Sequence, residues 1–92
     1  SFIDFARTYP HPGMSEKEVQ WMGVVAHRFP YPPSLFRYAL ALAYNGEIDK
    51  AKIELIRLHR LHGEKAFQES LSALEEISRI YPEIQPLTSI TP

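Results

Sequence analysis

The chain has 92 residues, 45% of them hydrophobic and 23% charged, with a formal net charge of -1 and no cysteine. That length allows one domain with a thin core, because a chain of this size buries only about 60 to 65% of the surface that its unfolded form exposes. The near-neutral balance argues against the basic stripe that follows nucleic-acid phosphates, and the missing cysteine excludes disulfides and thiolate metal sites.

The longest apolar run, Tyr38 to Tyr44, is far short of the roughly 20 residues that a membrane-spanning helix needs. No signal-peptide pattern opens the chain, and a start at Ser1 in mid-pattern reads as a piece cut from something longer. Residues 1–14 carry Phe2, Ile3, Phe5 and Tyr9 but run into Tyr9-Pro10-His11-Pro12-Gly13. Those prolines and that glycine oppose regular structure, so this segment reads as an irregular arm that lays aromatics on the core. A first helix is expected from about 15 to 29. Ser15 and Glu18 are spaced for a capping box, Met14 and Val19 for a hydrophobic staple, and Val19, Met22, Ala26 and Phe29 recur on one face. The run Phe29-Pro30-Tyr31-Pro32-Pro33 then stops it.

A second helix follows from Pro33 or Ser34 to Asn45, with proline in its tolerated first turn and Gly46 where a left-handed residue is wanted. Its only charge is Arg37, and it is apolar on nearly every side. Such a helix must be covered by neighbours, so it is read as the central one. A third helix begins near Ile48-Asp49, places Ile48, Ala51, Leu55 and Leu58 along one stripe, and ends at Gly63. A fourth, over about 64 to 81, sets Phe67, Leu71, Leu74, Ile77 and Tyr81 against Lys65, Glu69, Glu76 and Arg79, as expected of a closing helix with one solvated face. The proline-containing tail over 82–92 shows no helical period and is expected to be loose. The predicted architecture is all-α, with the helical domain over 15–81.

Little here is arranged for catalysis. His59 and His62 are three apart and able to face one metal, but both project beside Ile48 and Leu55 with no acid or thiol placed to complete a ligand set. Hydrogen-bonded, partly buried histidines are the reading adopted. No glycine-framed serine, triad or phosphate loop is present. Glu16, Glu18, Asp49, Glu54, Glu75 and Glu76 lie beside lysine or arginine, as on a solvated helix surface. No metal or cofactor is implied. What remains is a set of aromatic and arginine side chains, Tyr9, Trp21, Arg28, Tyr31, Arg37, Tyr38 and Tyr44, the residue types that dominate binding hot spots. Trp21 projects away from the Val19-Met22-Ala26 stripe, either under the arm or onto a contact surface.

A repeat-like spacing is also present. From Pro32, the residues Leu35, Ala39, Leu42, Gly46, Ala51, Leu55 and Leu58 fall where a tetratricopeptide repeat of about 34 residues sets its large, small, turn and packing residues. Gly46 reverses the chain, and Ala51 lets the second helix approach the first. Helix one then resembles the end of a preceding unit and helix four a cap. An array this short leaves apolar faces, to be covered by the arm, a parent protein or a second copy of the chain.

Ala6-Arg7-Thr8-Tyr9-Pro10-His11-Pro12-Gly13-Met14, then Arg28-Phe29-Pro30, then Ala39-Leu40-Ala41 and Gly46-Glu47-Ile48-Asp49-Lys50-Ala51 together resemble the C-terminal region of bacterial O-linked protein glycosylation ligases. These are pilin-type oligosaccharyltransferases related to O-antigen ligases and polymerases. The resemblance implies a polytopic inner-membrane parent that transfers a glycan from a lipid carrier to serine or threonine of pilin-like proteins. This piece would be its periplasmic, tetratricopeptide-like tail. It also implies that catalysis belongs to the membrane part and its large loop, leaving this domain to recognise or orient the acceptor or to brace the catalytic part. The alternative reading is a free-standing cytoplasmic adaptor of the tetratricopeptide kind, holding a peptide between its helices.

Overall fold

A computed structural model of the chain describes residues 10–91. They form four α-helices, α1 (Glu16–Arg28), α2 (Pro32–Tyr44), α3 (Ile48–His62) and α4 (Glu64–Ile80), followed by a 3-10 helix over Pro82–Ser89. The fold is all-α, and no strand occurs among the described residues. No helix there is long and apolar enough to cross a membrane. Phe2, Ile3, Phe5 and Tyr9 of the expected arm lie outside the described residues.

Local chemistry sets the start of α1. The Glu18 amide donates to Ser15 Oγ at 3.2 Å and the Ser15 amide donates to Glu18 Oε1 at 3.3 Å, so two orphan N–H groups are satisfied reciprocally. Met14 and Val19, the staple pair, are both buried in one core cluster. Val19, Met22 and Ala26 line the inner face as their spacing predicts, but Phe29 is 47% exposed. It is the C-cap residue, with φ -129° and ψ 78°. The backbone has left helical geometry there, so projecting Phe29 onto the helix face no longer applies.

The chain re-enters a helix at Pro32, whose missing N–H costs nothing at a helix start. Leu35 and the unbroken run Ala39 to Ala43 are buried, so α2 is the central helix, packed by α1, α3 and the 3-10 segment. Its C-terminus closes as a Schellman motif. The Glu47 amide donates to the Leu42 carbonyl at 2.9 Å and the Gly46 amide to Ala43 at 3.1 Å, with Gly46 at φ +83°. That backbone conformation is costly for a residue with a Cβ, and it turns α3 back along α2. Ala51, Leu55 and Leu58 are fully buried on the returning helix. On α4, Phe67 and Leu74 enter the same core, while Ser70 and Ser78 donate their hydroxyls to the carbonyls of Ala66 and Glu75. Those two polar side chains are thereby satisfied within their own helix.

The tail differs from expectation. Residues 82–89 are not loose but form the 3-10 helix, with Ile84 and Leu87 fully buried and Ile90 packed against the core. A 3-10 helix has three residues per turn, so side chains three apart eclipse. Ile84 and Leu87 therefore share one edge, which lies against α2, α3 and α4, and Ile90, just past the helix end, packs against the same core. The tail has a period of three, which a search for the α-helical period passes over.

If the tail is part of the core, Leu87→Ala and Ile84→Ala each lower stability by about 2 to 5 kcal/mol, as for fully buried aliphatic side chains elsewhere. Urea unfolding followed by circular dichroism measures this, and losses of only a few tenths of a kcal/mol would show the tail to be detached.

Candidate functional site

A groove of about 260 Å³ lies between α2 and α4. Pro32, Pro33 and Phe36 line it from α2, and Ala66, Glu69, Ser70 and Ala73 from α4. Ala66, Ser70 and Ala73 follow one another at i, i+4 and i+7, so a single strip of α4 is stripped of bulk. Because Ser70 Oγ already donates to the Ala66 carbonyl at 3.0 Å, the floor is effectively apolar. Glu69 is an exposed carboxylate at its edge. The groove is open, apolar and bordered by one charge, which suits a side chain or extended peptide more than a reaction centre.

The turn leading into the groove is pinned from a distance. His62 Nε2, at the end of α3, lies 2.6 Å from the Pro30 carbonyl oxygen and donates to it in the tautomer carrying that proton. The contact fixes the Phe29-Pro30-Tyr31 turn, whose Tyr31 is 63% exposed and immediately precedes Pro32 of the groove wall. His59, the other member of the pair considered for metal binding, has a different partner. Its Nε2 is 3.1 Å from Glu64 Oε2, and its ring meets Phe67 edge-on at 5.1 Å between centroids. One acid stands beside His59, because the Gly63 bend brings the first turn of α4 alongside the last turn of α3. Each imidazole is committed to its own contact, and no cluster of three metal-ligating side chains is found among the described residues.

A polar cluster joins the first three helices. Glu54, expected on a solvated face, is only 5% exposed. Its Oε1 is 3.1 Å from His27 Nε2 of α1, and Arg57 Nη1 lies 3.4 Å from Oε2. Oε2 has no hydrogen bond, so Arg57 offsets its charge without aligned donation. Lysine and arginine neighbours along α3 point to a solvated Glu54, whereas its contact with His27 of α1 is a tertiary one that local sequence does not show. Above the carboxylate, Tyr38 meets the His27 ring edge-on at 5.5 Å. Gly23 makes room for this ring, since a Cβ there would lie 2.8 Å from Tyr38 Cζ. Burial pushes the Tyr38 phenol above its ordinary 10.0, and the negative charges of Glu54 and Glu47 push the same way against Lys50 and Arg57.

The seven aromatic and arginine candidates do not converge on one surface. Tyr9 lies outside the described residues. Trp21 is half-buried beside Lys17, Gln20 and Val24 in a shallow hollow of about 280 Å³ on α1. Arg28 is exposed at the end of α1, and Arg37 is half-buried on α2. Tyr38 belongs to the Glu54 cluster, and Tyr44 packs edge-on against Tyr81 at 5.4 Å. Tyr31, before Pro32, and Arg37, after Phe36, adjoin the groove in sequence, and neither lines it. The residues that line the groove were not singled out from sequence, although the spacing of Ala66, Ser70 and Ala73 is a signal of close approach. Comparison of the chain with family models, curated proteins and solved structures finds no match.

Because the folded chain holds the Tyr38 proton more tightly than the unfolded chain, whose tyrosines ionise near 10.0, the unfolded state releases it first as pH rises. Stability contributed below that pH is lost as pH climbs toward the folded value. Nuclear magnetic resonance of labelled tyrosine rings should show Tyr38 titrating above 10.0. Glu54→Gln should bring that titration part of the way back, the burial contribution remaining. A Tyr38 titration unmoved by this substitution would remove Glu54 from the cluster's electrostatics.

Proposed function

We propose that this chain is a non-catalytic docking domain that holds a segment of an acceptor protein in the groove between α2 and α4. The observation that carries the reading is the groove itself, an apolar strip of Ala66, Ser70 and Ala73 facing Pro32, Pro33 and Phe36. Rigid helices hold both walls, and the His62 contact fixes the turn at its entrance. A preformed apolar slot of this kind binds with little ordering cost on the side of the receptor. The exposed Glu69 at the edge favours a segment that carries a cation beside its apolar or proline side chain.

The resemblance in sequence supports a parent for this domain: a membrane-bound O-oligosaccharyltransferase that glycosylates pilin-like proteins on serine or threonine at the periplasmic face of the bacterial inner membrane. In that setting the glycan transfer is carried out by the membrane part. This domain raises the local concentration of the acceptor near it, a gain that needs no catalytic group of its own.

Titration of the labelled chain with an acceptor pilin, and separately with the membrane part of the ligase, tests the reading. Ala73→Arg fills the slot, and Glu69→Lys reverses the charge at its edge. Each is expected to weaken acceptor binding about tenfold or more, while stability moves by no more than about 0.5 kcal/mol, as for surface substitutions generally. Acceptor binding that is absent, or untouched by both substitutions, would refute the docking role. Binding to the membrane part alone would replace it with a bracing one.

A further inference from the structure

The side of α3 that faces away from the core has an unusual composition. Ala51, Leu55 and Leu58 point inward and are fully buried, while the opposite side carries Asp49, Ile53, Ile56 and Arg60. Ile53 is 56% exposed and Ile56 39% exposed, and Asp49 and Arg60 are exposed at either end. No ion pair with a described residue is found for Asp49 or Arg60. Successive steps along this set are four, three and four residues, which keeps all four side chains on one seam of an α-helix.

That pattern reads the same from both ends in spacing and opposite in charge. When two copies of the helix are laid antiparallel about a two-fold axis midway between Ile53 and Ile56, Ile53 of each copy faces Ile56 of the other. Asp49 of each copy then faces Arg60 of the other. A two-fold contact must be self-complementary, the same patch meeting itself with residues exchanged, and this seam meets that condition in both its apolar and its charged positions. Arg57, on the flank, is already offset by Glu54 at 3.4 Å. No α3 residue lines the groove between α2 and α4, so pairing through this face leaves both grooves open.

We propose that the outer face of α3 is a homodimer interface in which Asp49, Ile53, Ile56 and Arg60 pair antiparallel with the same residues of a second copy. The seam spans about 17 Å of helix, and a patch of that length falls below the roughly 1,200 Å² buried by stable complexes. The dimer is therefore a weak, concentration-dependent one. The proposal stands apart from the docking role, since it uses a different face and is measured on the chain alone.

Sedimentation velocity of the 92-residue chain over a range reaching about 1 mM, the upper end of weak association, tests it. Reversible dimerisation is expected. Ile56→Glu should abolish it with the circular dichroism spectrum unchanged. Asp49→Arg and Arg60→Asp should each weaken it about tenfold or more, because every substitution enters the two-fold contact twice. The double variant carrying both should recover to within about threefold of the original, because the opposite charges are again paired. Recovery in the double variant distinguishes a registered antiparallel pair from general apolar adhesion. A chain that stays monomeric throughout, whether another partner or solvent takes the α3 face, overturns the proposal. So does a dimer indifferent to Ile56→Glu, or one that the double charge exchange fails to restore.

Discussion

Everything in this fold follows from the need to cover α2 on all sides. Leu35 and Ala39 to Ala43 leave it almost no solvated face, and an apolar helix in water is stable only to the extent that neighbours exclude solvent from it. The chain supplies those neighbours in different ways. On one side Gly23 of α1 lets the Tyr38 ring lie against the helix backbone. On another, the Gly46 reversal lays α3 along α2, with Ala51, Leu55 and Leu58 buried. The 3-10 segment contributes Ile84 and Leu87 where a further helix would otherwise stand. The groove is what remains, the stretch at the start of α2 that α4 faces with a strip of alanine and serine and with Glu69. The groove and the covering of α2 are thus one piece of geometry.

Glu54 is buried, and a charge removed from water is tolerated only with partners. His27 and Arg57 supply them from α1 and α3. The cluster links α1 and α3 by a side-chain contact that the chain's connectivity does not itself provide, since α2 intervenes in sequence. Because one oxygen of Glu54 lacks a hydrogen bond, the arrangement favours this one helix placement more than it adds stability.

Much of the architecture was legible where local chemistry decides the outcome. Ser15 with Glu18, Gly46 with Ala51, and Gly63 each specify a boundary through a few adjacent atoms, and the helix limits follow them closely. Other features depend on packing partners far away in sequence and were misread or missed. Phe29 leaves the apolar face because the backbone ends its helix one residue earlier. Glu54 is buried, and its partner His27 lies 27 residues upstream. The tail uses a three-residue period that is uncommon over such a length. The groove was missed for a related reason: the spacing of Ala66, Ser70 and Ala73 signals a close approach without saying to what, and only the wall opposite turns their smallness into a cavity.

A helical repeat array ordinarily conceals its apolar ends by adding units or a polar cap. Here the two ends of the hairpin are treated differently. At the α4 side the 3-10 tail folds back and closes the core with Ile84, Leu87 and Ile90. At the α3 side no element of the described chain lies over Ile53 and Ile56. Their exposure is bracketed by Asp49 and Arg60, charges that raise the solubility of the face without concealing it. A seam with this apolar centre and opposite charges at its ends is suited to a contact made and released with concentration. It lies on the face of the hairpin that the groove does not use.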